Sequence, residues 1–220
     1  MPKSKRSQKI SLTKTVRKGR ERKEAIVEEV RGCVDRYKSV LVFETCNMRN
    51  TPLKELRARL RSSRLFFGRN KLIAAALGRT VADAYRVGLD QVSESLLGGE
   101  AGLIFTDEPL EVVQQALKDS EVPEYARSGF EATEDVTLEE GELPQFAHSM
   151  EPYLRKLGMP TKLVAGTVVL LCNYPVCVAG DVINSDQAKI LQLIDNKMAV
   201  FKAVLTCHWS EGEFRPLSAE

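Results

Sequence analysis

Hydrophobic and polar positions in residues 21–121 follow patterns typical of alternating helices and strands. Residues 21–38 carry apolar side chains at near-helical spacing, and the apolar run Val40–Phe43 follows directly. Helical spacing indicates an amphipathic helix, whereas a short continuous apolar run is typical of a buried strand. With Pro and Gly as boundaries, the same patterns predict strands at 63–67 and 102–106 and helices at 51–61, 70–77, 81–97 and 109–117.

The pattern changes after residue 121. Pro and Gly divide residues 122–182 into short β-rich pieces, which predicts an inserted smaller lobe. A helix and a strand resume in 183–210 and are expected to complete the first domain. The sequence thus predicts an α/β fold: a mixed-sheet RNA-binding domain of residues 21–121 and 183–210 flanked by helices, the β-rich lobe, a basic N-terminal arm at 1–20 and a C-terminal tail at 211–220.

Charge is strongly segregated along the chain. The net charge is +2, yet residues 1–25 hold ten Lys or Arg against Glu21 and Glu24, and residues 80–151 hold 17 acidic residues against three basic ones. A polyanion would be attracted to one face and repelled by another, which orients a complex. The arm suits a nuclear import signal, a nucleic-acid arm or a solubilising tail, and these three interpretations stay open.

Cysteine usage and hydropathy narrow the protein class. Five cysteines without a repeated short spacing and a charged N-terminus predict a reducing compartment and no signal peptide. The longest apolar run, Leu163–Gly180, is interrupted by polar residues and has too few apolar ones for a membrane helix. It predicts two strands joined by a turn, and no membrane partner.

Basic residues are concentrated on predicted helices and turns between Arg49 and Arg79. This stretch contains nine basic residues and one acidic residue, Glu55. Charge of one sign on ordered elements indicates a polyanionic partner, and RNA is the simplest candidate. On the helix that begins at Thr51, one stripe of leucines packs inward and one flank of it is cationic. The stripe is Leu53, Leu56 and Leu60, and the flank is Lys54, Arg57 and Arg61.

The turn Gly68–Lys71 places Arg69 and Lys71 in the opening turn of the next helix, with Asn70 between them. Positive charge is disfavoured at a helix N-terminus, but free backbone N–H groups and a glycine there suit a bound phosphate. A solvated surface without a ligand is the ordinary alternative for this turn and for the cationic flank.

Further positions extend this candidate RNA surface. The polar loop with Asn47, Arg49 and Asn50 follows a buried strand, where amides and a guanidinium can bind sugars, base edges and phosphates. Arg79 either extends the surface or is an ordinary cation near a helix C-terminus. At least one of the neighbouring phenylalanines at 66 and 67 is expected in the core, and base stacking is the less favoured interpretation.

The sequence contains no motif typical of catalysis. The GxxxxGK[ST] loop, the GxSxG elbow and the HExxH pair are absent, and the two imidazoles belong to His148 and His208. Cys207 and His208 adjoin on a predicted strand and would point to opposite faces. We therefore predict no enzyme, no metal site, no cofactor and no small-molecule substrate.

Several strings resemble the ribosomal stalk-base protein family over almost the whole chain. They include MPKSKR at 1–6, SLTKT at 11–15, NMRN at 47–50, FFGRNK at 66–71, GLIFT at 102–106 and HSMEP at 148–152. The resemblance implies a factor that binds the stalk-base region of large-subunit rRNA in nucleolar precursors of the large ribosomal subunit. It also implies that the factor holds this site until the mature stalk-base protein replaces it.

By matching motifs, the resemblance places the family's RNA-facing surface on the loop 47–50, on Arg57 and Arg61, and on the turn 68–71. It implies that the lobe is a platform for other ribosomal or assembly proteins. The expected location is the nucleolus and nucleus, with passage to the cytoplasm on the particle.

Two features depart from the family pattern. Arg69 stands where many relatives have Lys, and its planar fork favours bidentate contacts. The chain stops at Glu220, without the long helical extension and acidic tail of the mature stalk protein, which favours the assembly factor. The alternatives are a truncated ribosomal stalk-base protein and, less favoured, an enzyme of mRNA turnover with acidic side chains around a metal ion.

Overall fold

Strand β1 (Ser39–Cys46) is the central strand of the main sheet in the computed structural model, which describes residues 19–217. It pairs with β3 (Ala101–Thr106) on one side and with the 12-residue β10 (Ala199–Ser210) on the other. β2 (Arg64–Phe67) continues the sheet beyond β3. Each of these pairs is antiparallel. The predicted α/β domain is confirmed, but its sheet does not have the mixed strand directions that we expected.

Helices cover both faces of this sheet. On one face lie α1 (Arg20–Arg36), α3 (Asn70–Leu77) and α4 (Leu89–Leu96). On the other face lie α2 (Asn50–Arg59) and α5 (Leu110–Lys118).

The alternation of side chains along β1 explains why both faces are covered. Val40 and Val42 belong to the core cluster beneath α1, α3 and α4, whereas Leu41 and Phe43 belong to the cluster beneath α2 and α5. Successive residues of a strand point to opposite faces, so a continuous apolar run requires a core on each side.

The predicted helix at 81–97 is wrong in its first half, because residues 79–88 form turns and only Leu89–Leu96 are helical. Gly88 has a left-handed backbone (φ 84°) immediately before α4. The side chains of Val81 and Val87 are 83% and 80% exposed, so they contribute little to a buried helical face. The turns are fixed instead by Trp209, whose indole N–H donates to the Val87 carbonyl over 2.9 Å.

The inserted lobe has a hydrophobic core of its own, which includes Leu154, Met159 and Val168. Its secondary structure comprises β5 (Val136–Leu138), β6 (Gly141–Glu142), α6 (Glu151–Lys156), β7 (Thr161–Val164), β8 (Thr167–Leu170), β9 (Tyr174–Cys177) and α7 (Ser185–Leu193). β5 pairs with β9, and β8 lies between β6 and β7. A 3-10 turn at His148–Met150 precedes α6.

The boundaries of the lobe differ from the predicted 122–182. Strand β4 (Val122–Glu124) pairs with the first residues of β10 and so lies on the main sheet. Helix α7 was expected to return to the main domain, but its buried Ile190 and Leu191 pack in the lobe core. Apolar periodicity locates such a helix without identifying the surface on which it packs.

The last described residues are not a tail as predicted. β11 (Glu213–Pro216) pairs with β10 and forms an edge of the main sheet. The Leu217 backbone N–H then donates to the Thr206 carbonyl over 2.8 Å. Most of the predicted N-terminal arm, residues 1–18, lies outside the described part of the chain.

Candidate nucleic-acid interface

The turn between β2 and α3 has an unusual backbone. Gly68 has φ 91°, and Arg69 has φ 60° and ψ 35°, which is the left-handed region. A non-glycine residue in this region costs about 1–2 kcal/mol. Arg69 also precedes the first residue of α3, and among the described residues no side chain caps this helix end and none in its first turn is acidic. Helix N–H groups and cations thus meet at one exposed turn, an arrangement that suits an anion.

Helix α2 presents the predicted cationic flank to solvent. Its stripe residues Leu53, Leu56 and Leu60 are buried in the core cluster shared with β1, while Lys54 and Arg57 are exposed. The helix ends at Arg59, so Arg61 lies just beyond it in an exposed turn. The leucine stripe therefore sets the direction in which Lys54 and Arg57 point.

Arg57, Arg61 and Arg69 line one open groove of about 660 Å³, which we call the basic groove. Gly68 and Phe66 form part of its wall. None of the three arginines has a carboxylate within 4.0 Å among residues 19–217. The groove therefore carries positive charge that the described part of the protein does not neutralise.

Arg64 also lines the basic groove, and the sequence analysis did not select it. Its guanidinium forms an ion pair with Glu29 of α1, which lines the groove as well. Arg64 also lies 5.3 Å from the centroid of the Phe66 ring. This pairing makes Arg64 a part of the groove wall rather than a free cation.

Lys54, Lys71 and Arg79 are exposed but do not line the basic groove. Lys71 lies in the first turn of α3, two residues after Arg69. Arg79 donates a hydrogen bond to the Lys71 carbonyl over 3.1 Å, so its side chain folds back on α3. These three residues lie outside the groove lining, and their contact with RNA stays a prediction.

Two residues of the loop 47–50 are held by other parts of the protein. The Asn47 amide donates to the Val200 carbonyl over 2.9 Å. The Arg49 guanidinium donates to the Tyr125 carbonyl over 2.5 Å and lies 3.6 Å from the Glu124 carboxylate. Both therefore connect the loop to the junction between the main domain and the lobe. Asn50 remains exposed.

Asn70 has a structural contact that the sequence did not reveal. Its amide nitrogen donates to the Leu96 carbonyl over 3.2 Å and to the Ala101 carbonyl over 2.9 Å. Its amide oxygen is buried and has no hydrogen-bond partner among the described residues. The side chain therefore points into the protein rather than toward the basic groove.

Phe66 and Phe67 lie on opposite faces of β2, as alternation requires. Phe66 contacts Phe105 edge-on, with ring centroids 5.6 Å apart, and Phe67 stacks on Phe43 at 6.1 Å. Both rings are only partly buried. Each ring packs against one of the two cores of the main sheet.

Arg127 is a second cation that the sequence analysis did not select. It lines a smaller cavity of about 310 Å³ together with Met48, Gly68 and Arg69. The available signal was its isolation, because residues 80–151 hold 17 acidic and three basic residues. An arginine retained in such an acidic stretch has few reasons to be there on grounds of solubility alone.

Two searches of the described coordinates gave no site. Residues 19–217 contain no group of three His, Cys, Asp or Glu side chains placed to hold a metal ion. Within the same range, no helix is long and apolar enough to cross a membrane.

Two family profiles match successive parts of this fold. The profile described as "Ribosomal protein L10" covers residues 18–122, and a profile for the insertion domain of the 60S ribosomal protein of this type covers residues 126–195. The second range includes α7, in agreement with its packing in the lobe core. The chain is therefore an α/β protein of the ribosomal protein L10 class with an insertion domain.

Individual relatives make the assignment more specific. The chain is 38% identical to "Ribosome assembly factor mrt4" of Neurospora crassa, over 96% of this chain and 90% of that protein. It is 36% identical to the protein of the same name from Dictyostelium discoideum, over 97% and 96%. Identity to "Large ribosomal subunit protein uL10" of Saccharomyces cerevisiae is 26%, over 90% and 63%. The chain belongs to the Mrt4 family of ribosome assembly factors.

Proposed function

We propose that the protein is a non-enzymatic factor of large-subunit assembly that binds the stalk-base region of large-subunit rRNA. It occupies this region in nucleolar precursor particles until the mature stalk-base protein takes its place. The names of its relatives support the assembly role, since proteins matched over nearly their full length are called ribosome assembly factors. The two L10-type profiles support a site shared with a ribosomal protein.

The basic groove is the observation that carries the RNA-binding part of the proposal. Arg57, Arg61 and Arg69 converge there without carboxylate partners among the described residues. Placing three like charges near one another is unfavourable unless an anion neutralises them, and the RNA backbone supplies such charge continuously. The adjacent N-terminus of α3 adds backbone donors that point toward a phosphate.

Replacement by a related protein follows from shared architecture. The chain resembles both the assembly factors and protein uL10. Two proteins of one fold that bind the same RNA site through the same surface compete for it, so one must leave before the other binds. A competition experiment tests this step: purified uL10 should displace the protein from stalk-base RNA, and simultaneous binding of both would contradict it.

RNA binding is tested by measuring affinity for a stalk-base RNA fragment over a series of salt concentrations. About six phosphate contacts give a slope of about −4 to −5 in a plot of log affinity against log salt. The double variant Arg57→Glu, Arg61→Glu should bind at least about 100-fold more weakly at a fixed salt concentration, because two attractive contacts become repulsive.

The matched control reverses two exposed cations that line none of the three openings named here, as Lys118→Glu with Lys162→Glu. Its affinity should stay within a few-fold of wild type. Thermal unfolding of both variants checks that the fold is intact. Retained affinity in the groove variant would remove the basic groove from the proposal, and a flat salt response of the wild type would remove the electrostatic mechanism.

Location and chemistry are tested separately. We infer that the protein resides in the nucleolus and nucleus, so a fluorescent fusion should concentrate there, and exclusive residence on cytoplasmic translating ribosomes would favour a ribosomal component instead. Labelled RNA incubated with the protein and Mg²⁺ should remain intact, whereas specific cleavage would identify an enzyme.

A further inference from the structure

A third opening lies at the junction between the main domain and the lobe. It has a volume of about 520 Å³, and its walls come from both parts of the protein. The main domain contributes Asn50 and Thr51 at the start of α2, while the lobe contributes Arg127 and Lys189. We call this opening the junction cavity.

Three openings form a series through two shared arginines. Arg69 lines both the basic groove and the smaller cavity of about 310 Å³. Arg127 lines both that smaller cavity and the junction cavity. An extended ligand can therefore follow one path from Arg57, past Arg69 and Arg127, to Lys189.

Positive charge predominates along the whole path. The carboxylate in the basic groove is that of Glu29, which is paired with Arg64. The carboxylate in the junction cavity is that of Glu124, which lies 3.6 Å from Arg49. Glu100 lines the smaller cavity opposite two arginines, Arg69 and Arg127. Each opening thus has more cations than carboxylates.

We propose that Arg127 and Lys189 bind the backbone of the same RNA as the basic groove, so that the RNA site spans the main domain and the lobe. This inference rests on the proposed function and adds the lobe as a second contact. Both side chains are exposed, and neither has a carboxylate within 4.0 Å among residues 19–217. Lys189 contacts the side-chain oxygen of Gln192 over 3.3 Å, a weak neutral bond that a phosphate can replace.

The polar residues of the junction favour RNA over an acidic peptide. Thr51, Ser128 and Ser185 place hydroxyl groups around the junction cavity, and Asn50 adds an amide. Hydroxyls and amides bind sugar and phosphate oxygens in nucleic-acid complexes. A path with cations at successive positions also matches a chain whose charge repeats at every unit, which an acidic peptide of mixed sequence does not provide.

Binding across the junction has a mechanical meaning. The lobe is joined to the main domain through β4 and the start of β10. RNA held by Arg69 on one part and by Lys189 on the other adds a further connection between them. The orientation of the lobe on a precursor particle would then depend on the RNA as well as on the protein chain.

The test uses the full-length protein with the stalk-base RNA fragment and the variant Arg127→Gln, Lys189→Gln. Loss of two phosphate contacts should reduce the magnitude of the salt slope by about 1.4–1.8 and should weaken binding about tenfold or more at physiological salt. The matched control, Lys156→Gln with Lys162→Gln, removes two exposed lobe cations that line none of the three openings. Its slope should equal that of wild type.

The outcomes separate the two proposals. If wild type binds the fragment and the double variant keeps its slope and affinity, the lobe contact is wrong while the proposed function stands. If wild type does not bind at all, both proposals fail. The single variant Arg127→Lys, which keeps the charge, should keep most of the slope. Competition by polyglutamate as strong as that by unlabelled RNA would identify an acidic protein as the ligand and would overturn the inference.

Discussion

Asn70 connects three elements through one side-chain amide. It begins α3, and its amide nitrogen reaches the carbonyl of Leu96 at the end of α4 and the carbonyl of Ala101 at the start of β3. A buried carbonyl that loses its donor costs more than an average hydrogen bond contributes. The residue therefore holds the arginine turn of the basic groove in place without facing RNA itself.

Asn70→Ala should lower the free energy of unfolding by about 1–3 kcal/mol, because the two carbonyls lose their donor. Urea unfolding monitored by circular dichroism measures this change. Asn50→Ala is the control, since Asn50 is exposed and its substitution should change stability by less than about 0.5 kcal/mol. Equal stability of wild type and Asn70→Ala would contradict the structural role.

His208 gives the protein a pH dependence of stability. It lies on β10, where partial burial, and to a lesser degree the charge of Arg215, lower its pKa below the ordinary 6.5. The unfolded chain therefore binds a proton more readily than the folded protein, so this contribution is complete above the unfolded pKa and is lost as the pH falls below it.

The free energy of unfolding should consequently decrease between about pH 7.5 and about pH 5 by more in wild type than in His208→Gln. Urea unfolding at a series of pH values makes the comparison. His148→Gln, which removes an exposed imidazole of the lobe, should keep the wild-type dependence. Parallel curves for wild type and His208→Gln would show that His208 does not contribute.

Local signals decided which candidate site residues the sequence could identify. Arg57 and Arg61 were found because their spacing relative to the leucine stripe is a property of the helix itself. Arg49 and Asn70 were assigned to RNA because they are polar and lie beside cations, but their partners are 76 residues away at Tyr125 and 31 away at Ala101. Contacts across such distances leave no local pattern in a single sequence.

At the scale of elements, α7 has a strong helix start. Asn184 accepts hydrogen bonds from the backbone N–H groups of Asp186 and Gln187, and the Gln187 side chain accepts from the Asn184 N–H. This capping box satisfies backbone groups that otherwise lack partners at a helix N-terminus. The Gln187 amide also donates to the Val176 carbonyl over 2.7 Å and thereby attaches the helix to the lobe.

Asn184→Ala should destabilise the protein by about 1 kcal/mol, because the cap is lost. Hydrogen exchange should show reduced protection in α7 and in the neighbouring lobe strands, since α7 packs in the lobe core. Ser185→Ala, at the next position and without a cap hydrogen bond, should have a smaller effect. Reduced protection confined to the main sheet would show that α7 is coupled to the main domain instead.

Elements with continuous patterns were predicted well. The run Val40–Phe43, the helix at 70–77 and the strand at 102–106 each combine apolar periodicity with a clear boundary. The helix at 81–97 failed because Val81 and Val87 fit a helical pattern but are exposed, and because Gly88 adopts a left-handed backbone. The bond from Trp209 to Val87, which fixes these turns, depends on the folded sheet.

At the scale of the whole molecule, the ends of the lobe lie together. The Tyr125 hydroxyl bonds to Asp195, and the Lys197 ammonium lies 5.4 Å from the centre of the Tyr125 ring. Pro123 and Val200 are paired across β4 and β10. A lobe whose entering and leaving segments meet can be removed without separating the remaining chain ends.

Replacement of residues 126–197 by a short Gly/Ser linker should therefore give a main domain that still unfolds cooperatively. Its helices α1 to α5 pack on a sheet whose core does not include lobe residues. Calorimetric unfolding of this variant, compared with the intact chain, measures the effect. A product that aggregates or melts without a transition would show that the lobe is required for the main fold.

The order of strands in the main sheet has a consequence for synthesis on the translating ribosome. β1 is central, yet its partner β10 ends at Ser210, so the pairing of Ser39 with Ser210 must await nearly the entire chain. Contacts between residues far apart in sequence form slowly. The lobe, complete by residue 198, can condense while the surrounding domain is still waiting for its last strands. The nascent protein would thus fold from its middle outward, and during that interval the exposed β1 would be the segment most in need of chaperone protection.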